Sequence, residues 1–145
     1  MTHTILIIDD NPDDVEIAEI TLARLDRELK VETAPRGDDA LDLLRNGKAL
    51  PSLILLDLKM PGMSGFDVLR NIRADKRTKL IPVIIVTSST LEADEKASYE
   101  AGANGFLHKA FDINRFSSDL KSLLHKYMYC RLNPSSRTTG GQRYQ

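Results

Sequence analysis

Short apolar runs alternate along the chain with longer stretches whose apolar residues return every three or four positions. The runs are Thr4 to Ile8, Lys30 to Ala34, Leu53 to Asp57, Val83 to Thr87 and Gly105 to His108. Runs of this length, with little polar alternation, are the pattern of parallel strands covered on both faces. The stretches between them predict five helices. The first carries Val15, Ala18, Leu22 and Leu25 at helical spacing behind Pro12, a residue suited to a first turn. Ile17 and Ile20 lie off that stripe and are expected at the surface. A second helix runs from about Asp38 to Asn46 and stops at Gly47. The third starts after Gly65, the fourth after Ser89 or Thr90, and the fifth after Asp112, which can cap it. Ile113, Phe116, Leu120, Leu123 and Tyr127 repeat along that last stretch.

Strict strand–helix alternation predicts right-handed crossovers and an α/β, doubly wound, parallel sheet. Sheets of this kind bind ligands beyond the carboxyl ends of their strands, where the strand order reverses. Asp9, Asp10, Asp57, Thr87 and Lys109 all fall at such an end or one or two residues past it, so they are expected on one rim. Each alone has an ordinary explanation. Asp9-Asp10 before Asn11-Pro12 can form a turn with a helix cap, Asp57 can cap a loop, Thr87 can be strand filler and Lys109 a solvated cation. Their joint occurrence is harder to explain that way. Carboxylates gathered at the edge of a buried sheet cost free energy unless compensated, and a divalent cation held by oxygen is the usual compensation. That points to Mg²⁺, with one carboxylate left for chemistry on a phosphoryl group.

Composition narrows the function classes. A chain of 145 residues, 41% hydrophobic and 28% charged, can bury the core of one compact domain. A net charge of -1 gives no bias toward polyanions, so no DNA partner is expected. Cys130 is the one cysteine, which excludes an intramolecular disulfide and fits a reducing cytoplasm. The first apolar run is too short for a signal peptide and no run is long enough for a membrane span, so a cytoplasmic location is expected. His3, His108 and His125 lack metal-ligand spacing. From Cys130 onward Pro134-Ser135-Ser136 and Gly140-Gly141 predict a flexible tail, residues 130–145, behind a domain of residues 1–129.

Asp9-Asp10, Asp57 followed by Met60-Pro61-Gly62, Val86-Thr87-Ser88, Ala101-Gly102-Ala103 and Lys109 resemble, in order and spacing, the receiver domains of two-component response regulators. The resemblance covers about residues 4 to 128. It implies a (βα)5 flavodoxin-like fold with strand order 2-1-3-4-5. It also implies that Asp57 takes a phosphoryl group from a sensor histidine kinase, a nucleophilic step by a carboxylate. Mg²⁺ would be held by Asp10 and Asp57, by Asp9 largely through water, and by the backbone carbonyl of Lys59. Lys109 would pair with a phosphoryl oxygen, charge stabilisation carrying most of the rate. Thr87 and Phe106 would form a switch to an output surface of helix four, strand five and helix five. Phe106 has no hydroxyl, so it would act by packing, or be a plain half-buried strand residue. Such a chain is not an enzyme toward other molecules; it catalyses its own phosphorylation and dephosphorylation.

Among receivers, the Asp9-Asp10-Asn11-Pro12-Asp13-Asp14 opening and the bare C-terminus look most like stand-alone regulators associated with bacteriophytochrome histidine kinases. With few residues after helix five, output is expected by contact with a downstream protein, through a phosphorylation-dependent homodimer, or by relay to a histidine phosphotransfer domain. Ile17 and Ile20 are candidates for kinase docking, against ordinary core packing. Lys59 and Ser89 are expected to set the lifetime of the phosphorylated state. Ala110 stands where the family very often has a proline joined through a cis bond. A non-proline cis bond costs about 3 kcal/mol, so a trans bond or a displaced loop is expected. Two rival functions fit less well. A flavodoxin-like electron carrier would need a hydroxyl-rich phosphate loop where this chain has acids, and an aspartate phosphatase would need a second acid where Asn11 stands.

Overall fold

The computed structural model describes residues 3–47, 49–109 and 112–129. Five strands and five helices alternate: β1 (Thr4–Ile8), α1 (Pro12–Leu25), β2 (Lys30–Ala34), α2 (Gly37–Asn46), β3 (Leu53–Leu56), α3 (Gly65–Ala74), β4 (Val83–Thr87), α4 (Glu92–Glu100), β5 (Gly105–His108) and α5 (Ile113–Leu124). A π-helical turn, His125–Tyr129, continues α5. The strands form one parallel sheet, as the alternation predicts, in the order β2-β1-β3-β4-β5 that the resemblance implies. The chain leaves β1 toward one edge and returns to β3 on the other side. The crevice beyond the ends of β1 and β3 is therefore the place for a ligand. The Lys109–Ala110 bond and the tail from Cys130 lie outside the described residues, and so do the expectations about them.

Successive strand residues point to opposite faces, which divides the core in two. Leu6, Ile8, Ile54, Leu56 and Ile85 pack with Leu41, Leu44, Val68, Leu69 and Ile72 of α2 and α3. Ile5, Ile7, Leu55, Ile84 and Val86 pack with Ala18 and Leu22 of α1 and Phe116, Leu120 and Leu124 of α5. Each such side chain larger than alanine contributes about 1.5–3 kcal/mol when fully buried, so β1, β3 and β4 form a stiff base for groups at their ends.

β2 departs from the expected pattern. Its sequence, KVETA, is buried only at Ala34, because β2 pairs on one side alone and forms an edge of the sheet. Gly47 ends α2 in extended backbone rather than a left-handed turn. The carbonyls left open there, at Leu44, Arg45 and Gly47, accept from the guanidinium of Arg77. α4 starts at Glu92, after Ser89 and Thr90 as expected, and Ser98 is its one buried residue. Ile113 is half-exposed despite its place on the apolar stripe, since it is the first residue of α5, at the rim. Asp112 does cap that helix, accepting from the Arg115 backbone N–H at 3.2 Å.

Arg73, in the last turn of α3, ties the α3–β4 and α4–β5 loops together. Its guanidinium donates to the carbonyls of Gly102 (2.9 Å), Lys79 (3.0 Å) and Ile81 (2.8 Å) and to the side-chain oxygen of Asn104 (2.9 Å). Gly102, with φ of 108°, turns the chain out of α4 directly against the Arg73 side chain. Asn104 also accepts from the Val83 N–H, and its carbonyl accepts from the Tyr127 hydroxyl at 2.9 Å. No helix among the described residues is long and apolar enough to cross a membrane.

Candidate functional site

β1 ends at Ile8 and β3 at Leu56, paired in register, so Asp9 and Asp57 emerge side by side. Carboxylate oxygens of Asp9, Asp10 and Asp57 lie within 4.8 Å of one another. Asp57 and Asp9 are buried, 6% and 7% exposed, and Asp10 is exposed. Asp9 is held by the Asn11 backbone N–H, which donates to its Oδ1 at 3.0 Å. The Lys59 N–H donates to Asp57 Oδ1 at 3.5 Å, while the Lys59 side chain points to solvent. An all-oxygen set that includes two buried carboxylates is the donor chemistry of a hard divalent cation.

The β5 end contributes the opposing charge. Lys109 Nζ lies 2.8 Å from Asp9 Oδ2, 2.8 Å from Asp14 Oδ2 and 3.4 Å from Asp57 Oδ2. Burial pushes the lysine down, but the hydrogen bonds of Asp14 and Asp9 and the charge of Asp57 outweigh it and hold the ammonium above its usual range. Asp57 moves the other way from an ordinary carboxylate. Burial pushes its pKa up, the nearby Asp9 charge adds to this, and Lys109 compensates only in part. The lysine makes its short contacts with Asp9 and Asp14 and its longest with Asp57, so its charge offsets only part of the burial penalty on Asp57.

Asp14 is the group the sequence reading missed. The signal was present, because the buried stripe of α1 at Ala18 and Leu22, carried back one turn from Ala18, reaches Asp14. Asn11 caps the helix by accepting from the N–H groups of Asp13 and Asp14, which fixes that first turn against the rim.

The remaining expected residues fall into place as follows. Thr87 is fully buried at the end of β4, and its hydroxyl oxygen accepts from the Ser89 N–H at 3.3 Å. Ser89 is buried and donates its own hydroxyl to Asp94 in the first turn of α4. Phe106 is half-buried on β5, against the α2–α3 half of the core. Ile17 and Ile20 are exposed, 41% and 45%, so they are not ordinary core. A cleft of about 460 Å³ runs from Asp9, Asp14, Asp57 and Lys109 down between α1 and α5, where Ile7, Ile17 and Phe116 line it.

The raised Asp57 carries a sign for stability. A carboxyl whose folded pKa lies above its unfolded one burdens the fold only when ionised, so the cost is absent below the ordinary value of 3.8 and complete above the folded value. Metal-free Asp57→Asn should therefore melt a few degrees above the wild type at pH 7, with the gap closing as pH falls toward 4. A lower melting temperature at pH 7 would mean that the Lys109 contact outweighs the burial cost.

Residues 5–121 match the family model described as the response regulator receiver domain. PleD, a response regulator of Caulobacter vibrioides, is 37% identical over 124 residues, 85% of this chain. The match spans only 26% of PleD, so this chain corresponds to about a quarter of that protein. The protein PilH of Pseudomonas aeruginosa is 34% identical over 120 residues, with 83% of this chain and 96% of PilH covered. Among solved structures, the phosphorylated cyanobacterial phytochrome response regulator RcpA superposes with a TM-score of 0.80 at 28% identity, covering 88% of this chain and 94% of that one. The parallel 2-1-3-4-5 sheet, the acidic rim at its reversal point and these likenesses converge: the chain belongs to the response regulator receiver family.

Proposed function

We propose that this receiver accepts a phosphoryl group on Asp57 from a phosphohistidine of a sensor histidine kinase, with Mg²⁺ bound, and signals by phosphorylation-dependent protein contact. The observation that carries this is the position of Asp57: buried at the end of a central strand, grouped with Asp9 and Asp10, and faced by Lys109. A carboxylate oxygen of Asp57 attacks phosphorus, the P–N bond breaks, and the imidazole nitrogen keeps its electron pair and takes a solvent proton. Asp9, Asp10 and Asp57 would hold the cation together with the Lys59 backbone carbonyl. When bound, Mg²⁺ neutralises the acid cluster and the incoming phosphoryl charge. Lys109, already near Asp57, would pair with a phosphoryl oxygen.

Signalling would start at Thr87. If its hydroxyl moves to a phosphoryl oxygen, the Ser89 N–H loses its acceptor, and Ser89 is hydrogen-bonded to Asp94 in α4. The linkage would bias α4, β5 and α5 between two arrangements, Phe106 following by packing. α4 suits this part because so little of it is buried. Exposed Ile17 and Ile20 on α1 would meet the kinase, and the likeness to RcpA supports a kinase of phytochrome type. We take residues 1–129 as the receiver unit and a cytoplasmic setting as the one that fits this chemistry.

The test is the intact mass after incubation with Mg²⁺ and acetyl phosphate. The wild type should gain about one phosphoryl mass, labile in base, absent with a chelator and absent in Asp57→Asn. An adduct of undiminished yield in Asp57→Asn would refute the assignment. Transfer of the adduct to a histidine phosphotransfer domain would mark the relay function instead of direct contact signalling.

A further inference from the structure

We propose that Asp14 is a positioning residue that parks the Lys109 ammonium on α1, away from the phosphoryl-oxygen position at Asp57, and so sets how tightly the acceptor holds a phosphoryl group. The inference rests on the acceptor reading given above. Lys109 Nζ is 2.8 Å from Asp14 and from Asp9, but 3.4 Å from Asp57. An ammonium has three protons to donate, and its two shortest contacts lie on the α1 side of the rim.

The two α1-side acids are not equivalent. Asp9 belongs to the carboxylate cluster that suits a cation and already accepts the Asn11 N–H. Asp14 lies outside that cluster. With a cation bound among Asp9, Asp10 and Asp57, Asp14 is the carboxylate left to Lys109. Its side chain is 30% exposed and that of Lys109 16%, so water screens the contact less than it would a surface pair. Asn11 fixes the turn that presents Asp14, which keeps the acid from following the lysine. Lys109 can therefore pair fully with a phosphoryl oxygen only by loosening its bond to Asp14. Asp14 favours the unphosphorylated arrangement, and its removal frees the lysine for the phosphoryl group.

Fluoroberyllate, a non-covalent phosphoryl analogue, tests this by calorimetry at saturating Mg²⁺. Asp14→Asn should bind it on the order of tenfold more tightly, the worth of one charge-assisted hydrogen bond. Asp13→Asn removes an exposed acid from the same turn that has no ion pair with Lys109, and should change affinity by less than about twofold. In a Lys109→Met background, the effect of Asp14→Asn should vanish. Unchanged or weaker binding in Asp14→Asn overturns the proposal, as does an equal gain in Asp13→Asn or a gain that persists without Lys109. No fluoroberyllate uptake by the wild type would overturn the acceptor reading and this inference with it. Urea unfolding of the metal-free proteins gives a second measure: coupling between Asp14→Asn and Lys109→Met supports the pairing, and additivity overturns it.

Discussion

Gly65→Ala should lower stability by about 3 kcal/mol, the upper range for overpacking a closed site, and, with Mg²⁺ held as proposed, should weaken its binding at the same time. A Cβ at residue 65 would sit 2.2 Å from the backbone oxygen of Asp57 and 2.7 Å from the Leu58 Cα. Both neighbours are main chain, so no side chain can rotate out of the way. Relief has to come from moving the start of α3 or the end of β3, and the latter carries Asp57. The Gly65 N–H donates to Leu58 at 2.9 Å, a bond that any such movement stretches. Urea unfolding and Mg²⁺ calorimetry on the same preparation read the two effects together. Gly62→Ala is the contrast. Residue 62 has φ of 80° but nothing within 4 Å of a Cβ, so that change costs about 1–2 kcal/mol of backbone strain and leaves the cation site alone. Equal losses in the two variants would refute the steric account.

Arg73→Met should cost about 3 kcal/mol, in the range of mutations that break a partly buried hydrogen-bond network. The methionine keeps much of the stem but none of the donors, so the carbonyls of Gly102, Lys79 and Ile81 and the Asn104 side chain lose a partner together. A melting temperature lower by roughly 10 °C is the expected reading. Arg73→Lys should recover little of this, because a single ammonium cannot span four acceptors spread over two loops. Recovery of most of the stability by lysine would show that charge, and not the planar fork, is what counts. Hydrogen exchange gives the local picture: without Arg73, the exit from α4 should lose protection before the strands do.

The parts of this molecule that could be read from the chain are those with a local cause. Unbroken runs such as Ile5 to Ile8 and Val83 to Val86 placed the strands, and the alternation placed the helices; the sheet order, which the family resemblance implied, is the one observed. The acids at the strand ends were legible because strand direction alone carries them to one rim. Asp14 was harder, since an acid in a first helical turn has an ordinary role opposite the helix dipole. Its contact with Lys109 joins residues 95 positions apart. Arg73 and Asn104 were illegible for the same reason. Nothing near either residue signals that acceptors from two separate loops will meet a single guanidinium. β2 lies where expected, at Lys30–Ala34, but is less covered than a strand buried on both faces, because position in the sheet, which the run itself does not encode, decides how many faces and neighbours a strand has.

That strand has a consequence for how the protein tolerates crowding with itself. An open sheet margin offers free amides and carbonyls to any extended segment that drifts past, and so templates aggregation. Here the β2 margin presents Lys30, Glu32 and Thr33 to water, and the opposite margin is the four-residue β5, ending in an exposed histidine. Charge guards one side and shortness the other. Strand-to-strand growth is discouraged at both, so the sheet is guarded against adding a further strand at either margin.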